Sequence, residues 1–220
     1  VNSKIYKTYA NQWGISCREL FTQFMVNIHE RINGCKIGQF STLKIPVAPN
    51  FAGFRKLFRA RSGSSFIVPG NTFDNVSGQF PIGFFIWHTD DKQPVGEIVA
   101  DVFDKDGEPM GTKRLALEQD VRSINDWIIT TRNRTGEKNI GFMYAAGCDF
   151  QHQNYNYIIN DKCQLPHPRG TQVTDMNLKE IAVYLAVRHS VKRNWLNDRD
   201  QFTEPYNSWC SDTEFQNDCL

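Results

Sequence analysis

The chain has 220 residues, of which 40% are hydrophobic and 22% charged, enough apolar content to bury a core and too much for a disordered tail. Twenty-five Lys and Arg against twenty-four Asp and Glu leave a formal net charge of +1, which excludes a bulk polycation but allows a local basic groove. No window approaches eighteen apolar residues, so the sequence offers no spanning helix, and no signal peptide opens it. Val1 at the start and the half-amphipathic end at residues 214–220 read as the cut ends of a longer protein.

In chain order, Ser16 and Glu19 have the spacing of a capping box. Leu20, Phe21, Phe24, Met25, Ile28 and Ile32 then predict one apolar helix face, stopped by Asn33-Gly34. Residues 35–45 read as a strand ended by Pro46, and Phe51, Phe54, Leu57 and Phe58 as a short second helix. The apolar runs 65–68 and 82–87 predict two buried strands. No helix separates them, so they are expected to be antiparallel neighbours, since a parallel pair needs a crossover. Residues 97–103 and 112–117 flank an Asp104-Lys105-Asp106-Gly107 turn and predict a hairpin. A helix at 120–131, strands at 140–145 and 155–159, and a helix after Thr174-Asp175 complete the reading, with a linker at 166–170.

Motifs with their own chemistry are scarce. Gly78 and Gly83 have P-loop separation, but Phe84-Phe85 stands where Lys and Ser or Thr are needed. No nucleophile elbow occurs. No two of the five His are four residues apart, and Asp90-Asp91-Lys92 reads as a solvated turn, so no metal site is expected. The six cysteines form no C-x-x-C pair and read as reduced thiols in the cytoplasm. Asn75-Val76-Ser77 and Asn133-Arg134-Thr135 match the glycosylation triplet, which means nothing there.

Two clusters of cations can neutralise nucleic-acid phosphates: Arg55, Lys56, Arg59 and Arg61, and Arg188, Lys192, Arg193 and Arg199. The alternative for each is a solvated helix face. Between the two buried strands, residues 71–81 hold Phe73 and Phe80 among small polar residues. A ring on such a loop can stack on a flat ligand, or turn inward and close the core.

Glu19-Leu20-Phe21-Thr22-Gln23-Phe24, Phe40-Ser41-Thr42-Leu43-Lys44, Asn50-Phe51, Phe54-Arg55, Asn71-Thr72-Phe73-Asp74-Asn75-Val76 and Phe80-Pro81-Ile82-Gly83-Phe84-Phe85-Ile86-Trp87 resemble the C-terminal half of bacterial adenine-specific DNA methyltransferases of restriction-modification type. Asn125-Asp126-Trp127, Asp149-Phe150-Gln151-His152 and residues 195–202 look similar to later segments of the same proteins. The likeness spans nearly the whole chain and rests on overall wording, not on one diagnostic motif.

The resemblance implies an α/β fold. Residues 1–90 would be the C-terminal part of a Rossmann-like methyltransferase sheet, supplying its fifth, sixth and seventh strands and ending in an antiparallel hairpin. Residues 91–220 would be a mixed α+β region with a possible part in DNA recognition. It further implies transfer of a methyl group from S-adenosylmethionine to the exocyclic amine of adenine in double-stranded DNA, the base leaving the helix to be reached. The family's glycine-containing cofactor motif and its Asn-Pro-Pro-Tyr (or Phe) tetrapeptide are both absent, so no catalytic residue is assigned and the chain alone is expected to be inactive. The family's base-stacking aromatic falls on Phe73 or Phe80, with Phe73 favoured because Phe80 abuts Pro81 and the strand. The competing reading is a non-catalytic DNA-binding or specificity module of a restriction system.

Overall fold

The computed structural model describes residues 3–116, 121–131, 138–161 and 170–220. The expected linker at 166–170 lies outside them except for Gly170. The chain divides into two compact units, Val1–Glu118 with Trp195–Arg199, and Gln119–Asn194 with Asp200–Leu220. The division expected at residue 90 therefore moves beyond the next hairpin, because the strands of that hairpin join the first sheet.

Unit 1 is a five-stranded mixed sheet in the order β1-β3-β2-β4-β5. The strands are β1 Lys36–Thr42, β2 Arg61–Pro69, β3 Pro81–His88, β4 Ile98–Phe103 and β5 Pro109–Leu115. β3 lies between β1 and β2 and runs antiparallel to both. The absence of a helix between residues 68 and 82 predicted the β2–β3 relation. β4 pairs with β2 in parallel, and β5 returns antiparallel to β4. Their turn is closed by Asp104, whose Oδ1 accepts from the amides of Asp106 and Glu108, both at 2.9 Å, with Gly107 at φ 87°.

Strand alternation separates two faces. Ile37, Phe85, Trp87, Ile67, Ile98, Ala100 and Val102 are buried on one. Onto that face pack Trp13 from α1 (Lys4–Trp13), Met25 and Val26 from α2 (Leu20–Arg31), Ile45 from α3 (Lys44–Val47), and Phe54 from α4 (Ala52–Leu57), with Phe51 and Phe58 on either side of α4. The other face carries a half-exposed aromatic row. Phe40 lies 4.8 Å from Phe84, Phe84 5.3 Å from Phe66, and Phe66 6.3 Å from Phe103. A doubly wound sheet carries helices on both faces. Among the described residues of unit 1, the helical residues of the buried core lie on one.

Several local expectations are corrected. Ser16 caps nothing. It sits inside a 3₁₀ turn, Gly14–Arg18, and donates to the Trp13 carbonyl at 3.0 Å, while Glu19 takes the Lys44 ammonium at 2.6 Å. Gln23 organises this corner instead, donating to the Cys17 carbonyl at 2.8 Å and accepting from Ser3 Oγ at 2.6 Å. The buried face of α2 is Thr22, Gln23, Met25 and Val26, leaving Leu20 and Phe24 exposed. The strand expected over 35–45 stops at Thr42, and Pro46 falls in the short α3, where its missing N–H costs nothing.

Unit 2 has a three-stranded antiparallel sheet in the order β7-β6-β8: β6 Asn139–Ala145, β7 Asn156–Ile159 and β8 Thr171–Thr174. With it come α5 (Ile124–Ile129), α6 (Leu178–His189) and α7 (Thr213–Cys219). Phe150 and Phe202 stack at 4.1 Å in a core with Ile124, Ile128, Met143, Val173, Ile181 and Tyr184. Thr174 belongs to β8, so it does not cap α6. Asn177 holds that corner, its Oδ1 accepting from the Thr174 amide at 2.9 Å.

His29 on α2 lies between Trp13 and Phe58, with ring centroids 5.3 Å from each. Burial pushes its pKa down, Lys92 adds to this, and Glu30 opposes it. The unfolded chain takes up the proton near pH 6.5, whereas the folded chain resists it. Stability is therefore full above that pH and declines as pH falls through it. The urea midpoint of unit 1, read by tryptophan fluorescence, should be lower at about pH 5.5 than at about pH 7.5, and His29→Gln should flatten the difference.

Candidate nucleic-acid interface

The loop joining β2 to β3 begins with a 3₁₀ turn, Gly70–Thr72. The Gly70 amide donates to the Phe80 carbonyl at 2.8 Å, which closes the loop at its base. The Phe73 amide donates to the Gly70 carbonyl, the Val76 amide donates to the Phe73 carbonyl, and Asn75 takes a left-handed φ of 63°. The loop is thus tied by its own backbone, and its two phenyl rings have different fates.

Phe80 is half-buried in a slot made by glycines. A Cβ on Gly78 would lie 2.8 Å from the Phe80 ring and one on Gly70 would lie 3.1 Å from it. The Arg199 guanidinium stands 5.8 Å from the centroid of the same ring. Phe73 is 37% exposed and meets the 50% exposed Phe40 at 5.3 Å and 81°. A T-shaped contact takes at most one face of a ring, so a face of Phe73 stays clear of Phe40. Of the two candidate stacking residues, Phe73 is the accessible one and Phe80 anchors the loop.

The expected phosphate contacts divide in the same way. Arg55 donates Nη1 to the carbonyls of Ile45 and Ala48 at 2.9 and 2.8 Å, so it fastens α3 to α4 and is no free surface charge. Lys56 and Arg59 are exposed. Arg61 is exposed and donates Nε to Asp91 at 2.8 Å. A phosphate would have to compete with that carboxylate, but a surface pair of this kind is weak. Arg199 stands beside buried Asp198, with Nε 3.5 Å from its carboxylate. Arg199 belongs to unit 1, whereas Arg188, Lys192 and Arg193 belong to unit 2, so the second cluster is split.

Arg188 is 0% exposed and leaves the set of phosphate ligands. Its Nη1 donates to the Gly147 carbonyl at 2.5 Å, the Ala146 carbonyl at 3.3 Å and Tyr184 Oη at 3.0 Å. Its Nη2 donates to the His152 carbonyl at 2.7 Å, and the guanidinium lies 5.2 Å from the Phe202 ring centroid. Around it, Tyr184 donates to Asn125 Oδ1 at 2.7 Å, and Asp149 holds His152 with Oδ1 2.5 Å from Nδ1. Sequence reasoning placed Arg188 in a phosphate-binding cluster and missed this network, because the cations that follow it in sequence read as one charged patch. The available signal was the polar spacing of Asn125, Asp149 and His152 beside apolar runs.

Cys148 is half-buried, and burial first, then Asp149, push its thiol pKa up, which makes it a poor nucleophile. Among the described residues no three His, Cys, Asp or Glu side chains converge as a metal site, and no helix is long and apolar enough to cross a membrane.

Replacing the fully buried Arg188 with Leu strips donors from the part-buried carbonyls of Ala146, Gly147 and His152. At about 1–3 kcal/mol for each orphaned acceptor, the loss should exceed about 3 kcal/mol in urea unfolding. Arg59→Leu, at an exposed site, should shift stability by less than about 0.5 kcal/mol.

Compared with known protein families, curated proteins and solved structures, the chain matches none of them.

Proposed function

We propose that the chain is the closing part of a DNA adenine methyltransferase, acting on double-stranded DNA in the cytoplasm. In this reading β1, β2 and β3 finish a Rossmann-like sheet, and Phe73 stacks on the extruded adenine. Unit 2 contributes to DNA recognition through Lys192 and Arg193.

The observation that carries the reading is the last strand of the three. β3 is antiparallel to both β1 and β2, which agrees with a wound sheet whose final strand reverses direction. The loop entering β3 then presents Phe73 with one face clear of Phe40. An adenine amine inside the duplex is out of reach. Flipping the base costs a few kcal/mol, and a waiting ring offsets part of that cost. Stacking on one aromatic supplies about 1–3 kcal/mol without regard to sequence.

Methyl transfer also needs S-adenosylmethionine and a grip on the target amine. This chain carries neither motif, so both must come from elsewhere in a parent polypeptide. Exposed Lys56 and Arg59 would also serve a non-catalytic DNA-binding module, which would bind DNA in a salt-dependent way without methylating it.

The test is methylation by the parent enzyme, read as tritium moved from labelled S-adenosylmethionine to adenine. Phe73→Ala should lower the rate about 5- to 150-fold, the equivalent of about 1–3 kcal/mol, with cofactor affinity nearly unchanged. It should also lower the fluorescence of 2-aminopurine placed at the target position. A parent that binds DNA but transfers no methyl group would leave the binding-module reading.

A further inference from the structure

Unit 2 contains a cleft of about 370 Å³ lined by Tyr144, Ala146, Gln151, His152, Tyr155 and Arg193. This falls within the range of small-molecule sites, about 300–1,000 Å³. Tyr144 and Ala146 come from the end of β6 and the residue after it. Gln151 and His152 come from the 3₁₀ turn Phe150–His152, Tyr155 precedes β7, and Arg193 follows α6.

Buried side chains fix the walls. Arg188 binds the carbonyls of Ala146 and His152, which stand at two sides of the cleft. Buried Gln153 accepts the Arg193 amide on Oε1 at 3.1 Å and donates Nε2 to the carbonyls of Arg188, at 3.0 Å, and Val191. Asn156, also buried, takes His189 Nε2 on its Oδ1 at 3.1 Å. These bonds set the backbone before any ligand arrives, so little ordering remains to be done on binding.

The chemistry of the lining is mixed. Asp149 Oδ1 accepts the His152 backbone amide at 3.1 Å and lies 2.5 Å from Nδ1, which directs that carboxylate to the Nδ1 edge of the ring. The Nε2 edge is opposite. Arg193 brings a guanidinium, whose fork matches phosphate oxygens. Tyr155 is 58% exposed, its ring centroid 5.9 Å from that of His152. With Nδ1 turned to Asp149, Nε2 accepts from the P–OH of a monoprotonated phosphate, or donates to phosphate as the imidazolium. With the Arg193 cation the pair suits a phosphate, and an exposed tyrosine beside them suits a flat heterocycle.

We propose that this cleft binds a phosphorylated nucleoside, with the phosphate on Arg193 and His152 Nε2 and the base against Tyr155. The site lies in unit 2 and does not depend on unit 1, but it shares Arg193 with the proposed DNA contact, so binding of the strand bears on that reading and binding of the free nucleotide does not. The same chemistry is found in a free nucleotide and in one unit of a single strand, so the test has two arms.

The full chain is titrated against N-methylanthraniloyl-AMP by fluorescence and against fluorescein-labelled hexathymidylate by polarisation. At least one probe should bind, and Tyr155→Ala, His152→Gln and Arg193→Met should each weaken it about tenfold or more. Arg193→Lys should restore part of the loss. Tyr206→Ala, at a tyrosine of the same unit that is 90% exposed and outside the cleft, should bind as the original chain does. Circular dichroism checks that each variant is folded. Tight binding of the mononucleotide identifies the free nucleotide as the source, and binding of the oligomer alone identifies the strand. The proposal is overturned if both probes bind more weakly than about 1 mM, or if the folded cleft variants bind within about twofold of the original chain.

Discussion

Unit 1 depends on one constraint, the two-sided pairing of β3. A strand inserted between two others must satisfy its backbone on both edges and sort its side chains by strict alternation. In β3 this sends Phe85 and Trp87 into the core and Phe84 and Ile86 to the other face. The register Phe40↔Phe84 and Phe66↔Phe84 lines up three rings across three strands. A slip of one residue would put Phe84 among the helices and push Phe85 outward. On the core face of the same strand, Gly83 leaves the room the Phe85 ring occupies: a Cβ there would fall 2.5 Å from that ring. The loop with Phe73 and Phe80 inherits its position from this register, since its base is the Gly70–Phe80 hydrogen bond next to the first β2–β3 pair.

Unit 2 depends on a different device, a buried cation. Moving a guanidinium out of water is expensive, and Arg188 offsets the cost with carbonyls from three points along the chain and with two aromatic rings, Tyr184 and Phe202. Short turns around residues 146–153 have few apolar residues to hold them. A planar donor with five N–H groups supplies what a hydrophobic contact cannot, a fixed direction for each carbonyl. The same charge that drops out of the proposed phosphate contacts is the one that fastens Ala146 and His152, two residues that line the cleft.

Much of the fold was legible because alternation and turn chemistry are local. The apolar runs at 65–68 and 82–87, the Asp104–Gly107 turn and the Phe51–Phe58 spacing all mark elements that form. What escaped depended on partners far away in sequence. Ser16 and Glu19 have capping-box spacing, but Lys44 captures Glu19 and the Trp13 carbonyl captures Ser16. The apolar residues of α2 cover too wide an arc for one buried face, and the sheet selects Met25 and Val26 over Leu20 and Phe24. The strand at Thr171–Thr174 is four residues long and leaves little local signal, whereas the helix at Lys4–Trp13 was legible and went unread. Ser3 caps it, accepting the Tyr6 amide at 3.0 Å, and Tyr6, Tyr9, Ala10 and Trp13 share its core-facing side. Among the candidate site residues, exposure could not be read from residue type: Arg55 and Arg188 carry the same charge as Arg59 and serve the interior.

Phe73 and Phe80 show why residue type alone does not assign a role. They lie seven positions apart on one loop and are the same side chain. Gly70 and Gly78 remove the Cβ atoms that would block Phe80, and Arg199 stands on it, so that ring serves the loop's shape. Fixing one ring holds the loop at its β3 end. Phe73 is then carried by a backbone that is already closed, touched edge-on by Phe40 and 37% exposed. An exposed phenyl ring gives up burial worth roughly 1.5–3 kcal/mol. A half-exposed ring on a pre-ordered loop keeps some of that and needs little further ordering to meet a flat partner. That combination distinguishes Phe73 from Leu20 and Phe24, whose exposure follows simply from lying on the outer side of α2.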